Sequence, residues 1–156
     1  MIRGSITFKS HGMKGPELRA AIKEELSEIG LKWHRDILPG HFETWAAPKY
    51  HYTRRSAKYL KGKLRGRHGS RPLVYWGQLE AQVTRMAKVS STSKGVKVVL
   101  SGPRYLYMYR KGGERVDKAA ELTATTQGEA KMMANLLESR MVKRLNAQTE
   151  VKTVSI

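Results

Sequence analysis

The chain has 156 residues, 40% of them hydrophobic, which is slightly lean for a globular protein but enough for one core. Thirty Lys/Arg against thirteen Asp/Glu give a formal charge of +17, and the absence of cysteine removes disulfides, thiolate metal sites and a cysteine nucleophile. The first residues hold no apolar stretch of signal-peptide length and no run approaches the ~20 residues of a membrane span, so the sequence reads as a soluble intracellular product.

The charge is concentrated. Residues 1–43 carry seven Lys/Arg against six Asp/Glu, residues 114–156 carry the same, and residues 44–113 carry sixteen against Glu80 alone. A one-signed block of this kind faces nucleic acid or acidic protein surfaces, whereas an ordinary solvated surface mixes both signs.

In chain order, residues 2–9 alternate weakly around Ile6 and Phe8 and read as a first strand. Pro16 suits the first position of a helix. Leu18, Ile22, Leu26, Ile29, Trp33 and Ile37 then recur at steps of three and four, which predicts a helix over 16–38. Gly30 weakens its middle by about 1 kcal/mol relative to Ala, and Pro39-Gly40 is expected to end it. Phe42 and Trp45 follow in a turn.

A second helix is expected from near Thr53, with Ala57, Leu60 and Leu64 at helical spacing and Gly62, Gly66 and Gly69 as breakers. Pro72-Leu73-Val74-Tyr75-Trp76-Gly77 is a compact apolar knot that needs burial. Leu79 to Val89 fits strand or helix, and the alternation of Leu79, Ala81 and Val83 favours strand. Ser90 to Gly95 reads as a hairpin loop, and Val96 to Leu100 as its second strand. Tyr105, Tyr107 and Tyr109 alternate as in another extended segment, and Glu121 to Thr125 suggests an edge strand. Thr126 and Glu129 have capping-box spacing ahead of a stripe of Ala130, Met133, Leu137, Met141 and Leu145, so 126–146 is expected to be helical. The reading is α+β, an antiparallel sheet of three to four strands with a long N-terminal helix and a C-terminal amphipathic helix on one face. It forms one domain over 1–147, with a basic insertion-like segment at 44–78 and a tail at 148–156.

Reactive chemistry is poorly represented. No two of the five histidines, His11, His34, His41, His51 and His68, have the i, i+4 spacing of a helical metal pair, and nothing resembles a nucleophile elbow. No catalytic, cofactor-binding or metal-ligating set is expected, and the protein is not expected to be an enzyme. Gly66-Arg-His-Gly69 matches a phosphate-clamping GXXG loop, but Ser70-Arg71-Pro72 stops the second helix that such a loop requires. Aromatics interleaved with bases from Lys49 to Trp76 fit either a stacking groove for single strands or rings that pack a helix onto its core. Lys49, Arg54, Arg55, Lys58, Lys61, Lys63, Arg65, Arg67 and Arg71 are the candidate contacts for phosphate or an acidic partner.

The layout also has a relative. A short strand and a long helix precede a basic tyrosine-bearing segment (Lys49, Tyr52, Arg55, Tyr59, Lys63). Arg71-Pro72-Leu73 and Gly77-x-Leu79 then lead into a hairpin and a closing amphipathic helix. Over residues 2–147 this resembles tailed-phage virion morphogenesis proteins of the head–tail joining, tail-completion and tail-terminator group. The resemblance implies a structural subunit without catalytic or cofactor residues. Such a subunit forms a homo-oligomeric ring, commonly a hexamer, at the neck of a particle assembled in the host cytoplasm. The ring joins capsid connector to tail tube, with DNA passing through its lumen and no membrane partner. The second reading is a basic nucleic-acid-binding protein.

Overall fold

The computed structural model describes residues 15–66, 69–74, 76–85, 87–103, 106 and 117–153, and side chains as far as Ala147. The expected first strand at 2–9 and nearly all of the 105–109 segment lie outside these residues, as does Arg67. The elements in chain order are α1 (Gly15–Lys32), a π turn (Trp33–Ile37), a 3-10 turn (Leu38–Phe42), α2 (Ala46–Lys49), α3 (Ala57–Arg65) and α4 (Gln78–Arg85). They continue with β1 (Ala87–Thr92), β2 (Gly95–Leu100), α5 (Lys118–Thr123) and α6 (Gln127–Thr153). The chain is thus mixed helix and strand, and among the described residues its sheet has two strands, β1 and β2, where three to four were expected. No helix of the described residues is long and apolar enough to cross a membrane. Two compact units emerge, one from residues 1–31, 89–98 and 127–156, the other from 32–88 and 99–126.

In the first unit the two stripes read from the sequence meet. Ala21 and Ile29 of α1 bury against Leu137 and Met141 of α6, and Leu18, Ile22, Leu26, Met133 and Leu136 pack around them. Each large apolar side chain buried in this way contributes about 1.5–3 kcal/mol. Charges lock the same pair of helices. Arg140 donates to the buried carboxylate of Glu25, and Arg144 reaches Glu24 at 2.5 Å and Glu25 at 3.5 Å.

The hairpin meets α1 at Gly30. A Cβ at that position would stand 2.7 Å from Val96 Cγ2 and 2.9 Å from Val89 Cγ1. Gly30 therefore admits the valine face of the sheet, and the helix weakening read from the sequence accompanies that close approach. Burial alternates along both strands, with Val89, Val96 and Val98 turned inward and Lys88, Lys97 and Val99 outward.

Several expectations are corrected. Leu79 to Arg85 is helix, because Leu79 and Val83 are an i, i+4 pair on the buried face while Ala81, which completed the alternation, is exposed. The strand begins only at Ala87, and it runs through Ser90–Thr92, leaving Ser93-Lys94 as the turn. Glu121 belongs to α5, whose N-cap Asp117 accepts from the Ala120 amide at 2.9 Å. Helix α6 runs on to Thr153, through the segment expected to be a tail from 148.

Pro39-Gly40 does not stop the first helix. The backbone passes through a π turn and then tightens to 3-10 geometry, with Pro39 in its first turn. Gly40 has no Cβ where the Trp45 indole sits; one would be 2.8 Å from Cη2. This turn is the hub of the second unit. It touches the π turn, α2, α4 and α5, and Leu38, His41 and Phe42 within it are fully buried.

Candidate basic surface

The surface is built on the segment from Ala46 to Arg71, all of it in the second unit. Helix α2 is a single turn that ends at Lys49, whose ammonium lies 4.8 Å from the Trp45 ring centre and 4.9 Å from that of Tyr50. Tyr50 in turn stacks on the buried His41 ring, with centroids 3.9 Å apart and planes within 11°, and Tyr52 flanks both rings. His41 Nδ1 faces the Glu121 carbonyl at 3.0 Å and the Tyr52 hydroxyl at 2.6 Å. A carbonyl can only accept, so Nδ1 carries the proton. Tyr50 and Tyr52 thus pack beneath the basic segment, while Trp45 and Tyr59 are 47% and 42% exposed. His51 adopts a positive φ of 52° at the bend between Tyr50 and Tyr52.

Arg55 is committed inward. Its Nη1 lies 3.0 Å from Glu121 Oε1 and its Nη2 2.5 Å from Oε2, a two-pronged pair whose side chains are 20% and 8% exposed. The same carboxylate accepts the Thr53 amide at 3.0 Å. Ser56 then caps α3 by accepting from the Tyr59 amide at 3.2 Å, which sets the helix start.

Within α3 the inward position belongs to Lys63, 4% exposed, whose ammonium donates to the Arg71 carbonyl. Burial, and then the nearby charges of Arg55 and Arg71, push its pKa below the ordinary 10.5. Arg71 is also engaged. Its guanidinium donates to the Phe42 carbonyl at 3.1 Å and to the Glu80 carboxylate, with Glu43 at 3.8 Å. The one acidic residue of the basic block thus holds one of its bases in place.

The nine candidate contacts therefore separate. Arg55, Lys63 and Arg71 hold the unit together, and Lys49 lies over two rings. Arg54, Lys58, Lys61 and Arg65 are exposed and form no ion pair with a described residue. Leu60 and Leu64, whose spacing suggested a core stripe, are 45% and 62% exposed, because the side of α3 that packs inward is the one bearing Lys63. Of the described residues of the Pro72–Gly77 knot, Pro72, Leu73 and Val74 are half-buried, not fully so. Leu73 sits at φ 59°, a conformation costly for a branched side chain, and Trp76 is 73% exposed. Residues 69–74 contain no helix, so the Gly66–Gly69 pattern lacks the second helix of a GXXG clamp. Among the described residues no three His, Asp or Glu gather as a metal site.

Asp36 closes the inventory of charge in this unit. Hydrogen bonds from Arg35 at 2.8 Å and Lys32 at 2.6 Å lower its pKa to about 2. What the surface offers chemically is a set of fixed positive charges beside exposed leucines. Comparison with protein-family models, with curated proteins and with solved structures gives no match to this chain.

Proposed function

We propose that the protein is a structural subunit of a tailed-phage neck, a head–tail joining, tail-completion or tail-terminator protein. In this role it assembles as a homo-oligomeric ring, a hexamer by the resemblance, between capsid connector and tail tube. The observation that carries the reading is the hairpin. It is a two-stranded sheet seated on α1 at Gly30, and neither outer edge is paired to another strand among the described residues. Such edges are templates for strand addition, and a repeated head-to-tail addition closes a ring when the rotation permits. The layout from Lys49 to the closing helix supports the same reading.

Mass photometry of the purified protein, followed by cryo-EM, tests it. The expected result is one closed oligomer whose hairpin edges are covered by neighbouring copies. A strict monomer that also fails to bind connectors or tail tubes would refute it.

The second reading is nucleic-acid binding, and the exposed quartet Arg54, Lys58, Lys61 and Arg65 favours it. Four phosphate contacts would make log K fall against log salt with a slope of about −3.6 on duplex DNA. Binding that is saturable and has that slope would put DNA in contact with this surface; binding that is weak at low salt would leave the charges to protein partners.

A further inference from the structure

We propose that the outward side of α3 is a docking site for an acidic, apolar-bearing helical segment of a different protein. The inference concerns α3 alone and stands apart from hairpin-mediated ring closure.

Orientation comes first. Lys63 is the buried residue of α3 and is tied to the Arg71 carbonyl. At about 100° per residue, the direction opposite Lys63 falls between Lys61 and Arg65, with Lys58 on one side and Leu64 on the other. Two parallel edges result. Ala57, Leu60 and Leu64 follow an i, i+3, i+7 rule along one, and Lys58, Lys61 and Arg65 follow the same rule along the other. All six are exposed. Isolated surface leucines are ordinary, but two on one helical stripe beside a full basic stripe have the pattern of helix-in-groove anchors.

Charge identifies the occupant. A second copy of α3 would set bases against bases. Residues 1–14 carry Arg3, Lys9 and Lys14 with no acid, and residues 107–116 carry Arg110, Lys111 and Arg115 against Glu114 alone, so these segments of the chain are no better matched. The acids of the second unit are engaged elsewhere. Asp36 binds Lys32 and Arg35, Glu80 and Glu43 face Arg71, Glu121 binds Arg55, and Asp117 caps α5. No acid of the second unit with a described side chain is left to supply the counter-charge. A phosphate backbone would satisfy the bases and leave Leu60 and Leu64 in water. A bilayer-surface helix holds on through its buried apolar area, and the outward stripe of α3 offers little of it, Ala57, Leu60 and Leu64. A polypeptide presenting Asp/Glu beside apolar side chains complements both edges together.

The test is selection from a yeast-displayed library of helix-forming peptides on the full-length protein. Leu60→Ser/Leu64→Ser and Lys58→Gln/Lys61→Gln/Arg65→Gln variants serve as counter-selections. All the substituted side chains are exposed, so unchanged circular dichroism and melting temperature certify the variants. The expected peptides are net acidic with Leu, Ile or Phe at i, i+3 or i+4, and i+7. Each variant is expected to weaken their binding by about tenfold or more. The proposal is overturned if no peptide is enriched, if enriched peptides bind the leucine variant as tightly as wild type, or if they carry no net acidity. A single-stranded oligonucleotide and phosphatidylserine vesicles complete the set. If either binds the wild type more tightly than the peptides do, and loses that binding in the lysine/arginine variant, the occupant is nucleic acid or membrane and the proposal fails.

Discussion

Arg54 and Arg55 are adjacent, equally basic and both within the one-signed block, yet they should behave very differently. Replacing Arg55 by Met strands the Glu121 carboxylate, 8% exposed, leaving it the Thr53 amide out of three donor contacts at 2.5–3.0 Å. Removing one partner of a buried ion pair costs about 3–5 kcal/mol. Arg55 retains one-fifth of its exposure, so water can reach the vacated space and the lower end, about 3 kcal/mol, applies. For a chain of this size each kcal/mol moves the melting temperature by about 2–4 °C, so Arg55→Met should melt about 6–12 °C below wild type. Arg54→Met, at an exposed position, should stay within about 0.5 kcal/mol. The double change Arg55→Met/Glu121→Leu removes both charges and should recover part of the loss. Thermal and urea denaturation followed by circular dichroism measures all three. Equal melting temperatures for Arg54→Met and Arg55→Met would refute the assignment of Arg55 to the interior.

Gly30→Ala is expected to destabilise the protein by about 1 kcal/mol, because the overpacking cost of about 1–3 kcal/mol against Val96 and Val89 exceeds the helix-propensity gain of about 1 kcal/mol. In a Val96→Ala background, which removes the nearest of these contacts and leaves Val89 at 2.9 Å, the cost of Gly30→Ala should shrink, and urea midpoints report both. Lys63 has a folded pKa below its unfolded 10.5, so the unfolded chain binds the extra proton between those two values and stability should rise as pH climbs through that window. Lys63→Met should flatten the rise in a pH series of urea melts. Asp36 has the same sign, at the acid end of the scale. Its folded pKa of about 2 lies below the ordinary 3.8, so its contribution is complete above that value and disappears as pH falls toward 2. Asp36→Asn should remove this part of the acid limb, and 1 M salt should shrink the difference, since the pair is exposed and screened.

Local spacing was a sound guide wherever one face of an element is buried along its length. The stripes from Leu18 to Ile29 and from Met133 to Met141 were legible, and they are the residues that pack together. It misled where a short pattern satisfied two periods. Leu79, Ala81 and Val83 are two apart as a strand requires, but Leu79 and Val83 are also four apart, and only the exposure of Ala81 separates the cases. The same ambiguity produced a strand from Glu121 to Thr125, although Asp117 was available as a cap three residues before Ala120. The site was legible as charge but not as roles. Glu80, the only acid among sixteen bases, was a usable signal that one of them has an internal partner, and that partner is Arg71. Nothing local marks Glu121 as the partner of Arg55, 66 residues away.

The sequence by itself determined the two amphipathic helices, the hairpin and the concentration of positive charge, because side-chain periodicity and charge counts are properties of the chain alone. Tertiary structure decided which bases are structural and which face outward. Arg55, Lys63 and Arg71 look like Arg54, Lys58 and Lys61 until the chain closes. Their distinction is an acceptor, Glu121, the Arg71 carbonyl or Glu80, that only folding brings within hydrogen-bond reach. It likewise turned Lys63 inward and left Leu60 and Leu64 in water, since a buried ammonium with an acceptor fixes the rotation of a nine-residue helix against the preference of its apolar side chains.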